Sequence, residues 1–234
     1  MPSSVDRAAF LASLAAAAAA SVIPRAARAA TALEPEPAWT GSPAASLAML
    51  EAGNHRFRTR PIRPPYQTPD ARPQKPFAAL LVCADSRVGP ELIFDQGLGS
   101  LFVCRVAGNT ADSEVTGSLE YAVEHLHVPL VAVVGHSGCG ACTEALRTLD
   151  TRALPEASVA AVVRAVLPAA RTISPSLPPD ERLSRLVAAN ASLTATTLAM
   201  SPVLRRERLI GRAQVVWGVH DLASGWVRFT PVPA

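Results

Sequence analysis

The chain has 234 residues, 49% hydrophobic and 5% aromatic, and a net charge of +3. That length and apolar content suit one domain whose core is filled by Val, Leu and Ala rather than by aromatic rings. Its Arg residues are scattered and no basic stripe alternates with aromatics, which argues against a nucleic-acid partner. Four cysteines in a chain of this size do not make a disulfide-built scaffold.

Residues 1–29 differ in kind from the rest. Arg7 precedes an apolar run from Phe10 to Ile23, and small residues follow at Ala27 and Ala29. This is the layout of a secretory signal peptide cut near Ala29, and "RAAFL" is similar to a twin-arginine signal with Ala8 in place of the second Arg. The run is short for a bilayer span, so the mature protein is expected off the membrane and in the bacterial periplasm. Residues 30–42, with "TALEPEPAWTG", read as a Pro-rich linker, and residues 43–234 as a single domain.

That domain opens with a helical arm. Ser42 suits its cap, Pro43 its first position, and Ala45, Leu47, Leu50 and Phe57 its apolar side. "RPPYQTPDARPQKP" then breaks regular structure. Three apolar runs follow, at 77–82, 100–109 and 129–135, bounded by Gly or Pro and suited to strands buried on both faces of a parallel sheet. Between the last two, "SEVTGSLEYAVEHLHV" is helical in pattern, with Leu119, Ala122, Val123 and Leu126 on one face. Residues 157–200 are mostly helical, interrupted at "SPSLPPDE", and "AQVVWGVHDLASGWVRFTPV" reads as a closing hairpin. The expected fold is α/β. It has a mostly parallel central sheet, about four parallel strands plus an antiparallel C-terminal edge strand, flanked by helices.

Ligands collect at the carboxyl ends of parallel strands. Cys83 and His136 each stand just beyond such an end, on strands expected to be neighbours, and Cys139 follows one helical turn later. Two thiolates and an imidazole suit Zn²⁺ and leave its fourth position open, as in catalytic sites. In "CADSRV", alternation puts Asp85 and Arg87 on one side of the chain, where they can pair bidentately. Cys104, inside an apparent buried strand, and Cys142, on the inner side of a helix, read as small hydrophobes. His125 and His127 suit the negative end of a helix. "CGAC" is also the layout of a thiol–disulfide oxidoreductase using Cys139 and Cys142, but that reading leaves Cys83, Asp85, Arg87 and His136 without a task.

"CADSRV" followed by "HSGCGA" resembles the metal-site signature of the β-class carbonic anhydrases. "LEAGNHRF", "IFDQGLGSLFVCRVAGN", "GSLEYAVEHL" and "GVHDLASGWV" resemble segments of that family in the same order. The resemblance implies one zinc per chain on Cys83, His136 and Cys139, and reversible hydration of CO₂ to bicarbonate by a zinc-bound hydroxide that Asp85 and Arg87 orient. It implies Gln74 as a substrate hydrogen-bonding residue, Phe102 and Tyr121 as walls of the apolar pocket, and the Gly140 N–H as a bicarbonate contact. It also implies a homodimer or homotetramer. The regulated branch of the family has Trp and Tyr where Leu80 and His220 stand here, although Arg105 is present, so the branch without the inhibitory bicarbonate site is favoured. A carbonyl sulfide or carbon disulfide hydrolase on the same scaffold would carry a similar site.

Overall fold

The computed structural model describes residues 41–59 and 73–233. The signal-peptide reading of residues 1–29 and all but the end of the 30–42 linker fall outside the described residues.

Helix α1 (Pro43–Thr59) begins as its sequence dictates. The Ser42 Oγ accepts the Ala45 N–H at 3.2 Å, and Pro43 brings no N–H that needs a partner. Its inward side is more polar than expected, with Ser46, Leu50, Gly53 and Asn54 buried and Leu47 and Phe57 only packed alongside. Gly53 explains this: a Cβ there would lie 1.7 Å from the Phe94 carbonyl oxygen, so the helix backbone rests directly on that residue.

The remaining elements are β1 (Ala78–Val82), α2 (Pro90–Ile93), β2 (Leu101–Arg105), a 3₁₀ turn at Ala107–Asn109, α3 (Ser113–His125), β3 (Leu130–His136), α4 (Gly140–Thr151), α5 (Val159–Ala170), α6 (Pro179–Ala199), α7 (Pro202–Leu209), β4 (Gln214–His220) and β5 (Val227–Pro231). The sheet order is β2-β1-β3-β4-β5, parallel throughout except for the antiparallel β4–β5 pair. This is the expected α/β architecture. Among the described residues, no single helix is long and apolar enough to cross a membrane.

Side chains alternate across the sheet. Ala78, Leu80, Val82, Leu130, Ala132 and Val134 pack with Leu50, Ile93 and Phe94. Ala79, Leu81, Val131 and Val133 pack with Leu119, Ala122 and Val123 of α3 and with Ala191, Ala195 and Leu198 of α6. Strands β1 and β3 are buried along their whole length, as continuous apolar runs predict. Strand β2 is not. It stands at one edge of the sheet, its residues are half-buried or exposed, and Cys104 is half-buried rather than enclosed. An apolar run does not reveal whether a strand has one neighbour or two.

Helices α2 and α7 were not legible beforehand. "PELI" is shorter than any helical period, and "PVLRRERL" buries only Leu204. Beyond the carboxyl ends of β1 and β3, helices α4, α5 and α6 close a third core of Cys142, Ala145, Val163, Val166, Leu186 and Val187, which also encloses Cys83 and Cys139. Gly135 lets α6 approach, because a Cβ there would stand 3.1 Å from the Val187 Cγ1.

Candidate metal centre

Cys83 follows β1 directly and His136 is the last residue of β3, and these two strands are hydrogen-bonded neighbours. Cys139 arrives differently from the expected turn of helix. Ser137 and Gly138 form a reverse turn with Gly138 at φ +67°, and Cys139 is the cap residue ahead of α4. The left-handed conformation, open to glycine, folds the chain back over the end of β3. Among the described residues, Cys83, His136 and Cys139 form a buried group whose ligand atoms all lie within 4.8 Å of one another.

The histidine is oriented for ligation. Its Nδ1 lies 3.0 Å from the Ser137 carbonyl oxygen, a bond in which the nitrogen donates, leaving the lone pair on Nε2. That Nε2 is buried and has no hydrogen-bond partner. Burial opposes the imidazolium most strongly, but the Cys83 sulfur beside the ring, the Ser137 carbonyl bonded to Nδ1 and the Asp85 carboxylate together outweigh it and push the pKa up. The thiols resist ionisation without a cation beside them. Cys83 is pushed up to about 12, first by its hydrogen bond with Cys139 and then by burial. Cys139 is pushed up to about 11, first by its hydrogen bond with Cys142.

Asp85 and Arg87 pair as expected, but through a turn rather than along an extended chain. Asp85 Oδ1 accepts the Arg87 backbone N–H at 2.9 Å and the Arg87 Nε–H at 2.9 Å, while Oδ2 accepts from Nη2 at 2.7 Å. The Arg87 guanidinium therefore holds the Asp85 carboxyl far below the usual carboxylate range. Asp85 Oδ2 stands 3.9 Å from His136 Nε2, at the edge of the ligand group.

Other expected residues are placed less centrally. Gly140 is exposed as the first residue of α4. Phe102 and Tyr121 meet each other at the β2–α3 edge, with ring centroids 6.5 Å apart and Tyr121 exposed. Gln74 is exposed ahead of β1. Leu80 and His220 are buried in β1 and β4.

Gly108 and Asn190 were missed as supports of the centre, and Arg105 was read only as a member of the regulated branch's bicarbonate site. Arg105 donates to the Cys83 carbonyl at 3.2 Å and to the Asp85 carbonyl at 2.7 Å, clamping the backbone between ligand and carboxylate. Gly108 donates its N–H to Cys83 Sγ at 3.4 Å, and Asn190 donates to the Gly108 carbonyl at 2.7 Å. The one advance signal for Asn190 was a polar residue on the apolar side of α6, between Val187 and Ala191.

Residues 78–227 match the family model described as carbonic anhydrase. The chain belongs to the β-class carbonic anhydrase family. Among carbonic anhydrases it resembles, carbonic anhydrase 2 of Mycobacterium tuberculosis is 47% identical over 132 residues, which are 54% of this chain and 64% of that protein. The matched part thus spans under two thirds of that relative's length. The carbonic anhydrase of Synechococcus elongatus is 31% identical over 171 residues, 67% of this chain and 61% of that one. Among solved structures, the β-carbonic anhydrase of Coccomyxa, in complex with acetazolamide, superposes with a TM-score of 0.61 at 25% identity, covering 68% of this chain and 74% of its own. Two tetrameric β-carbonic anhydrases of Sordaria macrospora share the fold, with a TM-score of 0.59 at 23% identity over 69% of this chain and 83% of theirs.

Proposed function

We propose that this chain catalyses the reversible hydration of CO₂ to bicarbonate and a proton, with one Zn²⁺ held by Cys83, His136 and Cys139. The observation that carries the reading is the His136 Nε2, buried without a hydrogen-bond partner and grouped with two thiols. A bare buried polar atom costs about 1–3 kcal/mol, and a metal ion removes that cost. Two sulfurs and one nitrogen suit zinc and leave one position open. When bound, zinc supplies an acidified water as the nucleophile.

The chain's own residues do the rest. Asp85, kept ionised by Arg87, is an acceptor-only carboxylate beside the ligand group. It accepts a hydrogen bond from the attacking water and so directs a lone pair at the carbon of CO₂. Arg87 fixes that carboxylate through two side-chain bonds and keeps it off the metal. CO₂ is apolar and uncharged, so it requires apolar walls rather than a charged clamp. Phe102 and Tyr121 are assigned to those walls, with Gln74 as a substrate hydrogen-bonding residue and Gly140 N–H, at a helix N-terminus, facing bicarbonate. Because Phe102 and Tyr121 pair at the open β2 edge, a second copy is assigned to complete the pocket, in a homodimer or homotetramer. Residues 1–29 are assigned to export into the bacterial periplasm.

Metal analysis, CO₂-hydration and carbonyl sulfide assays on one sample test this reading. About one zinc per chain and CO₂ turnover are expected, with zinc lost in Cys139→Ser and kept in Cys142→Ser. Carbonyl sulfide turnover without CO₂ hydration moves the chain to the hydrolase reading. Zinc lost only in Cys142→Ser overturns the ligand set.

A further inference from the structure

Gly108 connects two parts of the molecule that are far apart in sequence. Its N–H donates to Cys83 Sγ at 3.4 Å, and its carbonyl accepts from Asn190 Nδ2 at 2.7 Å. Gly108 has φ +80° and ψ 7°, and a Cβ there would stand 3.1 Å from both Ala141 Cβ and Val166 Cγ2. Only glycine fits, and glycine restrains its flanking peptides least. The Asn109 N–H to Val106 carbonyl bond, at 3.0 Å, closes the turn from within. Asn190 supplies the hold from outside it. Asn190 is 2% exposed and projects from α6, the helix that Gly135 admits to the end of β3.

We propose that Asn190 is a positioning residue for the metal centre: by holding the Gly108 carbonyl it keeps the Gly108 N–H on the Cys83 sulfur, and so sets how much charge that thiolate gives to the metal. The inference rests on the carbonic anhydrase reading only in taking Cys83 as a metal ligand. An N–H directed at a ligating thiolate draws electron density off the sulfur, the same device that tunes other metal–thiolate centres. With two thiolates in the set, the bound metal is already largely neutralised. Relief at one sulfur therefore restores part of the charge that acidifies water. Hydrogen bonds onto ligands also fix their direction, and losing such a partner typically weakens metal affinity by ~10–100-fold.

The test uses ¹⁵N-labelled protein loaded with ¹¹³Cd, and separately with Co²⁺, as wild type, Asn190→Ala, Asn190→Leu and Asn190→Gln. Wild type is expected to show scalar coupling between the Gly108 amide proton and ¹¹³Cd, carried through the Cys83 sulfur. Asn190→Ala and the near-isosteric Asn190→Leu are expected to lose that coupling. Their sulfur-to-cobalt charge-transfer band should move to longer wavelength, and their zinc affinity should fall ~10–100-fold. Asn190→Gln, which keeps a donor amide, should recover part of each change. Variants that melt at lower temperature yet keep the coupling and the band position show a packing role alone and overturn the proposal. So does wild-type protein that binds cadmium through thiolates with no coupling at Gly108. Metal spectra without any thiolate ligation overturn this proposal and the zinc reading together, so the two failures are distinguishable.

Discussion

Asp85 and Arg87 join in a turn that gives the carboxylate three donors from one residue, two of them on the guanidinium. The backbone donor survives replacement by alanine, so Arg87→Ala removes the orienting fork and little else. We expect Arg87→Ala to keep its zinc and to lose CO₂-hydration activity by ~10–100-fold, the usual effect of an outer partner at a metal site. Arg87→Lys should recover little, because an ammonium cannot reproduce a planar fork. Full activity with Ala at 87 would show that Asp85 needs no partner. The ligands make a second residue-scale prediction. Without metal, Cys83 and Cys139 ionise only near about 12 and about 11, so both are protonated thiols near neutrality. Metal is bound by thiolates, hence uptake releases about two protons and zinc affinity should rise by ~100-fold per pH unit around neutrality. Calorimetric titration in buffers of different ionisation enthalpy measures that proton release. A pH-independent affinity would show that the thiols are already ionised before metal arrives.

At the scale of elements, α1 is fastened by one polar side chain. Asn54 Nδ2 donates to the carbonyls of Ile93 at 3.2 Å and Gly225 at 2.9 Å, and its Oδ1 accepts the Val227 N–H at 3.0 Å. One buried amide thus ties the arm to the end of α2 and to the β4–β5 connection. Asn54→Ala leaves buried backbone groups unpaired and should cost about 2–4 kcal/mol, seen as a fall in Tm of about 5–15 °C. Gly53→Ala on the same face should also destabilise, because its Cβ would collide with the Phe94 carbonyl. Unchanged melting in Asn54→Ala would mean that water or a neighbour replaces all three bonds. The zinc content of folded Asn54→Ala should be unaffected, since Asn54 packs with the opposite side of the sheet from α6.

For the whole molecule, the edge of the sheet at β2 is the feature that bears on assembly. Among the described residues its outer main-chain groups have no neighbouring strand, and Phe102 and exposed Tyr121 lie along it. Unpaired edges invite association unless they are blunted, and closed two-fold pairing is the commonest solution. We expect a dimer or tetramer by light scattering at micromolar concentration, and charged substitutions at Tyr121 should lower both the assembly state and the activity. A fully active monomer would contradict the shared-pocket assignment.

The sequence by itself determined the grouping of Cys83, His136 and Cys139, the pairing of Asp85 with Arg87, the cap of α1 and the paired buried strands β1 and β3. Each rests on a local property: a residue type beside a strand end, a cap with proline after it, or an unbroken apolar run. The tertiary structure decided what local pattern leaves open. It made β2 an edge strand, because exposure depends on how many neighbours a strand acquires. It turned the Asp85–Arg87 pair into a reverse turn and carried Cys139 over the end of β3 on a left-handed glycine. It also gave Asn54 and Asn190 their tasks, since their partners lie up to 173 and 82 residues away along the chain. A buried amide reads from sequence only as a polar residue out of place. Its meaning is set by the backbone group that packing brings to it.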